Sequence, residues 1–180
     1  MRETSYITSK LFNSDQIRFL NENIKKNLIT AKDNPNKDAI KTSQVKFVRL
    51  YSVQKLILPF IDFIISSNIN HFGYDLFQLT ASKILNYNTY EVNEEYTWHI
   101  DASMQSPVRD IKLTCLLNCS EDNYLGANLS LFTGGERKCE EFNIPGSAVV
   151  FPSFINHRVD KLISGKRNTL AIWMYGSRFK

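Results

Sequence analysis

Near the N-terminus, Ile17, Leu20, Ile24 and Leu28 recur at helical spacing, which predicts an amphipathic helix with one apolar stripe. Asn13 or Ser14 stands where its N-cap belongs. The polar stretch from Lys32 to Thr42, with Pro35, reads as a loop. A second apolar segment, Leu56 to Ile69, carries Phe60, Phe63 and Ile64 at helical spacing. Pro59 either opens that helix or kinks it, and His71-Phe72-Gly73 closes it. From Phe77 onward the pattern changes to short β-rich runs. Strands are predicted near Phe77–Tyr87, Tyr96–Asp101, Ile111–Asn118, Asn128–Phe132, Ala148–Phe151, His157–Leu162 and Thr169–Tyr175. Turns are expected at Ser106-Pro107, Gly134-Gly135, Pro145-Gly146 and Ser164-Gly165. Many short strands with helices gathered in front predict a mainly β sandwich or barrel with the helices packed outside. No repeat or linker interrupts the chain. Residues 1–180 are therefore read as one domain, a helical flank over about 1–75 and a β core over about 76–180.

Composition narrows the class. A chain of 180 residues, 43% hydrophobic and 22% charged, is long enough and apolar enough to bury a core. The net charge of +4 is mild and more typical of an ordinary surface than of a nucleic-acid binder. No apolar run approaches the roughly 20 residues of a membrane helix. The opening Met1-Arg2-Glu3-Thr4-Ser5 lacks the apolar stretch of a signal peptide. Cys115, Cys119 and Cys139 are an odd set with no second pair to complete a zinc site, so reduced thiols in a cytoplasmic protein are expected.

His99-Ile-Asp101 places two metal-binding side chains two residues apart, on one face of a predicted strand. His157 lies in a later strand that a folded sheet could bring to a third position. Two histidines and one carboxylate form the facial triad of non-haem iron(II) oxygenases. Taken singly, each has a plainer reading: an accidental dipeptide and a hydrogen-bonded structural histidine. Arg167, ten residues after His157, enters the apolar run Thr169–Trp173. A guanidinium there suits a carboxylate ligand, held by two parallel hydrogen bonds. A solvated turn arginine beside Lys166 is the alternative. Taken jointly, the order and interval are more specific than any member alone.

The segments Tyr90-Glu-Val-Asn-Glu-Glu-Tyr96-Thr-Trp98-His99-Ile-Asp101-Ala102, Arg109–Asn118, Phe151–Val159 and Gly165–Trp173 resemble the iron(II)/2-oxoglutarate dioxygenases of the prolyl 4-hydroxylase superfamily, especially the PKHD-type hydroxylases. The resemblance runs from about Tyr87 to Lys180. It implies a double-stranded β-helix, or jelly roll, with iron held by His99, Asp101 and His157. It also implies 2-oxoglutarate contacts from Arg167 and the Tyr90 hydroxyl, and a substrate side near Arg109 and Trp98. Tyr90 reads equally as a core aromatic, while Trp98 and Trp173 read more readily as core aromatics and Arg109 as a solvated loop arginine. The chain departs from the family's Gly-Gly-Glu-Leu at Gly126-Ala127-Asn128-Leu129, and has Asn93 where a glycine is common. The first departure bears on substrate choice.

The resemblance further implies that oxygen and 2-oxoglutarate are consumed together. Succinate and carbon dioxide are released and the substrate is hydroxylated, with ascorbate as a supporting reductant. A protein or peptide side chain such as proline is the first substrate expected, and no membrane partner is expected. A nucleic-acid demethylase and a non-catalytic jelly-roll binding protein are the alternatives.

Overall fold

The computed structural model describes residues 5–29, 40–102, 106 and 108–178. Met1 to Thr4 of the polar opening, residues 32–39 of the expected loop and Pro107 of the expected turn lie outside the described residues.

In chain order the strands and helices are β1 (Ile7–Lys10), α1 (Ser14–Lys26), β2 (Leu28–Ile29), β3 (Gln44–Arg49), α2 (Leu50–Val53), α3 (Leu58–Ser67), β4 (Ile84–Tyr90) and β5 (Tyr96–His99). They continue with β6 (Asp110–Asn118), β7 (Leu125–Gly126), β8 (Leu129–Phe132), β9 (Glu136–Lys138), β10 (Ser147–Pro152), β11 (His157–Val159), β12 (Leu162–Ser164) and β13 (Arg167–Gly176).

Asn13 caps α1 through a reciprocal capping box with Gln16. The helix stops at Lys26, so Leu28 does not extend its stripe but opens β2, opposite Val48. Pro59 sits in the first turn of α3, where its missing N–H costs no hydrogen bond. The helix runs on as a π-turn over Asn68–Phe72 and ends at Gly73, whose φ of 68° is the left-handed conformation a glycine accepts without strain.

A seven-stranded sheet runs in the order β1-β10-β6-β13-β4-β3-β2, with all its pairings antiparallel. A four-stranded antiparallel sheet runs β5-β11-β8-β9. Alternation along β6 shows how the layers meet. Leu113, Cys115 and Leu117 point to the helices, where they join Ile17, Leu20, Ile24, Phe60 and Ile64 in one core. Leu116 points the other way, into a second core where Tyr90, Val149 and Phe151 of the large sheet meet Leu129, Leu131 and Val159 of the small one. Helices, large sheet and small sheet are thus three layers, and the two sheets form the double-stranded β-helix.

Three findings differ from the sequence pattern. The first quarter adds β1, β2 and β3 to the large sheet, where the pattern gave helices alone. The strand expected from Phe77 begins at Ile84, because residues 81–82 form a turn. The run from His157 to Leu162 divides into β11 and β12, which pair in different sheets. Among the described residues, no helix is long and apolar enough to cross a membrane.

Candidate metal centre

His99 ends β5 and His157 begins β11, and the two are direct register partners across that antiparallel pair. Their ring centroids lie 4.1 Å apart. Asp101 follows the end of β5 rather than lying on it. Its position comes from a clamp, the N–H groups of Asp101 and Ala102 both donating to the Ser153 carbonyl at 3.0 Å. Ser153 leads into the turn that precedes His157, so one loop places two members of the triad. The potential ligand atoms of His99, Asp101 and His157 all lie within 4.8 Å of one another.

Hydrogen bonds orient each donor. His99 Nδ1 bonds the Thr97 carbonyl at 2.7 Å and His157 Nδ1 bonds the Ile155 carbonyl at 2.9 Å. A carbonyl only accepts, so each Nδ1 carries a hydrogen and each Nε2 is the ring nitrogen left facing the Asp101 carboxylate. Asp101 Oδ2 accepts from Thr114 Oγ1 at 2.7 Å and from Trp173 Nε1 at 2.8 Å. Burial, then the neighbouring His157, pushes the His99 pKa down to about 4. This donor set, two imidazoles and an oriented carboxylate, fits a divalent transition metal with coordination positions to spare.

Arg167 opens β13 opposite Tyr90 on β4. Its side chain is 1% exposed, and its Nε and Nη2 have no hydrogen-bond partner. The guanidinium lies 5.1 Å from the Tyr90 ring centroid and 5.5 Å from that of Phe142. Burial raises the pKa of Tyr90 despite the opposing charge of Arg167, so its hydroxyl stays protonated and able to donate. A small cavity of about 40 Å³ joins Arg167 and Tyr90 to all three triad residues. Leaving two guanidinium nitrogens buried without a partner is costly. An anion held in this cavity would relieve that cost. Other hollows, of about 450 and 520 Å³, include no triad residue.

The remaining candidates are not brought to this cavity. Trp98 points away from His99, edge-on to Phe132 at 6.2 Å and 5.0 Å from Arg158. Arg109 is exposed on the ring of Tyr175, at 4.5 Å. Cys115, Cys119 and Cys139 are free and buried. Sequence reasoning missed Thr114 altogether and left Trp173 as a packing residue. The available signal was a hydroxyl inside the otherwise apolar run Leu113–Leu117.

Residues 84–175, about half of the chain, match the model of the 2OG-Fe(II) oxygenase superfamily. A PKHD-type hydroxylase of Synechococcus sp. (strain CC9605) is 39% identical over 83 residues, 45% of this chain and 36% of the relative. A PKHD-type hydroxylase of Alteromonas mediterranea is 33% identical over 98 residues, 49% of this chain and 41% of the relative. The matches thus cover less than half the length of these curated relatives. Among solved structures, a Pseudomonas putida prolyl-4-hydroxylase superposes with a TM-score of 0.73 at 17% identity, covering 98% of this chain and 95% of that one. The viral collagen prolyl hydroxylase of Paramecium Bursaria Chlorella virus-1, in its 2OG complex, gives 0.68 at 14% identity, covering 97% of each chain.

Proposed function

Because the chain belongs to the 2OG-Fe(II) oxygenase superfamily, we propose that it is a hydroxylase using iron(II), oxygen and 2-oxoglutarate, with His99, Asp101 and His157 as the metal ligands. Arg167 pairs with the distal carboxylate of 2-oxoglutarate, and the Tyr90 hydroxyl donates to the same group. The observation that carries this reading is the buried Arg167 guanidinium, unpartnered at two nitrogens, in the cavity that also reaches the triad. A bidentate carboxylate satisfies those nitrogens, and no neutral ligand does so as well.

Iron(II) held by His99, Asp101 and His157, together with 2-oxoglutarate, would supply the oxidising power for hydroxylation. The chain itself does the holding and orienting. The Thr97 and Ile155 carbonyls keep both imidazoles in the metal-binding tautomer. Thr114 and Trp173 hold the carboxylate of Asp101. Leu116, Leu129 and Val159 give the cavity apolar walls that exclude water.

A protein or peptide side chain is the proposed substrate. A hollow walled by Phe72, Tyr74, Phe132 and Phe154 lies beside the loop that carries His157, and aromatic walls suit an extended chain. Ascorbate would keep the iron reduced. The three buried free thiols support a reducing compartment such as the cytoplasm. The test is succinate release from 2-oxoglutarate in air with iron(II) and ascorbate. Release that disappears in His157→Ala supports the proposal, and no release from iron-loaded protein opposes it.

A further inference from the structure

Ser43 lies outside residues 84–175, just before β3, yet the fold sets it beside Tyr90. Gln44 opens β3 opposite Thr89, so Ser43 comes level with Tyr90, the last residue of β4. Arg167 is opposite Tyr90 on the other neighbouring strand. Opposed residues of antiparallel strands share a face, so the phenol stands between a hydroxyl and a guanidinium. The segment before β3 is pinned. The Thr42 N–H donates to the Glu95 carbonyl at 3.1 Å, and the Glu95 N–H donates to Thr42 Oγ1 at 2.8 Å.

Ser43 is 1% exposed, and its Oγ makes no hydrogen bond of full geometry among the described residues. A buried serine in that state calls for an explanation. Its influence falls on Tyr90. Burial raises the pKa of that phenol, while the Arg167 charge and then the Ser43 hydroxyl oppose the rise. A hydroxyl opposes it by directing its own hydrogen at the phenol oxygen. Arg167 brings donors and no acceptor. Ser43, Tyr90 and Arg167 together therefore hold more hydrogens than oxygens to receive them. The group that completes the set is an acceptor, such as a carboxylate.

We infer that Ser43 is a positioning residue for the cosubstrate, donating to the Tyr90 oxygen so that the Tyr90 hydrogen points to the distal carboxylate beside Arg167. The inference rests on the cosubstrate reading above. Tyr90 walls the triad cavity and Ser43 does not, so Ser43 acts through the phenol rather than on the ligand. Without it the phenol keeps its hydrogen but loses the bond that fixes the direction of that hydrogen and polarises it. Only a ligand with a distal carboxylate feels the change.

The experiment is anaerobic calorimetric titration of manganese-loaded protein with 2-oxoglutarate and with 2-oxopentanoate, which keeps the keto acid and lacks the distal carboxylate. For Ser43→Ala, 2-oxoglutarate should weaken by about threefold to tenfold, the range of one neutral hydrogen bond, while 2-oxopentanoate stays within about twofold. In a Tyr90→Phe background the alanine substitution should have no further effect, because the phenol through which Ser43 acts is gone. A 2-oxoglutarate affinity within about twofold in Ser43→Ala, an equal loss for both acids, or an undiminished loss in the Tyr90→Phe background would overturn the inference and leave the cosubstrate reading intact. Failure of the unsubstituted protein to bind either acid would overturn both. Should Ser43→Ala fail to fold, Ser43→Cys takes its place, since a thiol is only a weak donor. The same losses are then expected, and the same results contradict the inference.

Discussion

Trp173 donates its indole N–H to the Asp101 carboxylate at 2.8 Å, from β13, across the register from Thr114, which donates to the same oxygen at 2.7 Å. The large sheet thus orients a carboxylate that belongs to the loop beyond the small sheet's edge. Partners of this kind tune metal affinity by about tenfold to a hundredfold. Trp173→Phe, which keeps the ring and deletes the donor, should weaken manganese binding by about that factor, as should Thr114→Val. Competition against a metal-sensing dye measures it. Affinities unchanged in both variants would mean that the two donors do not act on the metal.

His99→Ala with His157→Ala should abolish stoichiometric metal binding, since Asp101 alone is left to hold the ion. The chain is expected to bind one divalent ion, and the double variant none, by elemental analysis after dialysis. Full occupancy in the double variant would place the metal elsewhere.

Cys115→Ser with Cys119→Ser should leave metal content unchanged and lower stability. Both thiols are buried and free, and burial pushes the Cys119 pKa up to about 12 and that of Cys115 well upward. A serine hydroxyl left unpaired in that core costs about 1–3 kcal/mol. Urea unfolding should show the loss. Metal lost together with the thiols would contradict the assignment.

Metal-free protein should lose stability as the pH falls from about 6.5 to about 4. The unfolded chain protonates His99 near its ordinary pKa of 6.5, whereas the folded chain resists until about 4. The unfolded state therefore binds more protons across that window, and stability falls with pH there. The contribution is fully present above pH 6.5 and flat below 4. Urea midpoints across this range should fall more steeply for the unsubstituted protein than for His99→Gln. Equal slopes would show that burial of His99 is not the cause.

The candidate ligands and the proposed anchor are legible in the sequence, because His99, Asp101, His157 and Arg167 are conspicuous in or beside apolar strand segments. It does not show how Asp101 is placed, because the Ser153 clamp is made by backbone atoms of two segments about fifty residues apart. Gln44–Arg49 carries an alternating pattern that fits β3, yet the helical stripes on either side dominate the reading of that region. Ile7–Lys10 is too short for periodicity to separate strand from coil, and only its pairing with β10 defines it.

The proposed role of Arg167 as cosubstrate anchor is tested most directly by 2-oxoglutarate affinity in anaerobic manganese-loaded protein. Arg167→Ala should bind the cosubstrate about tenfold to a hundredfold more weakly, roughly 1.5–3 kcal/mol, with the metal retained. Arg167→Lys should recover part of the loss, because it keeps the charge without the two-pronged geometry. Affinities within about twofold across all three proteins, a difference of only ~0.4 kcal/mol, would mean that Arg167 does not hold the cosubstrate.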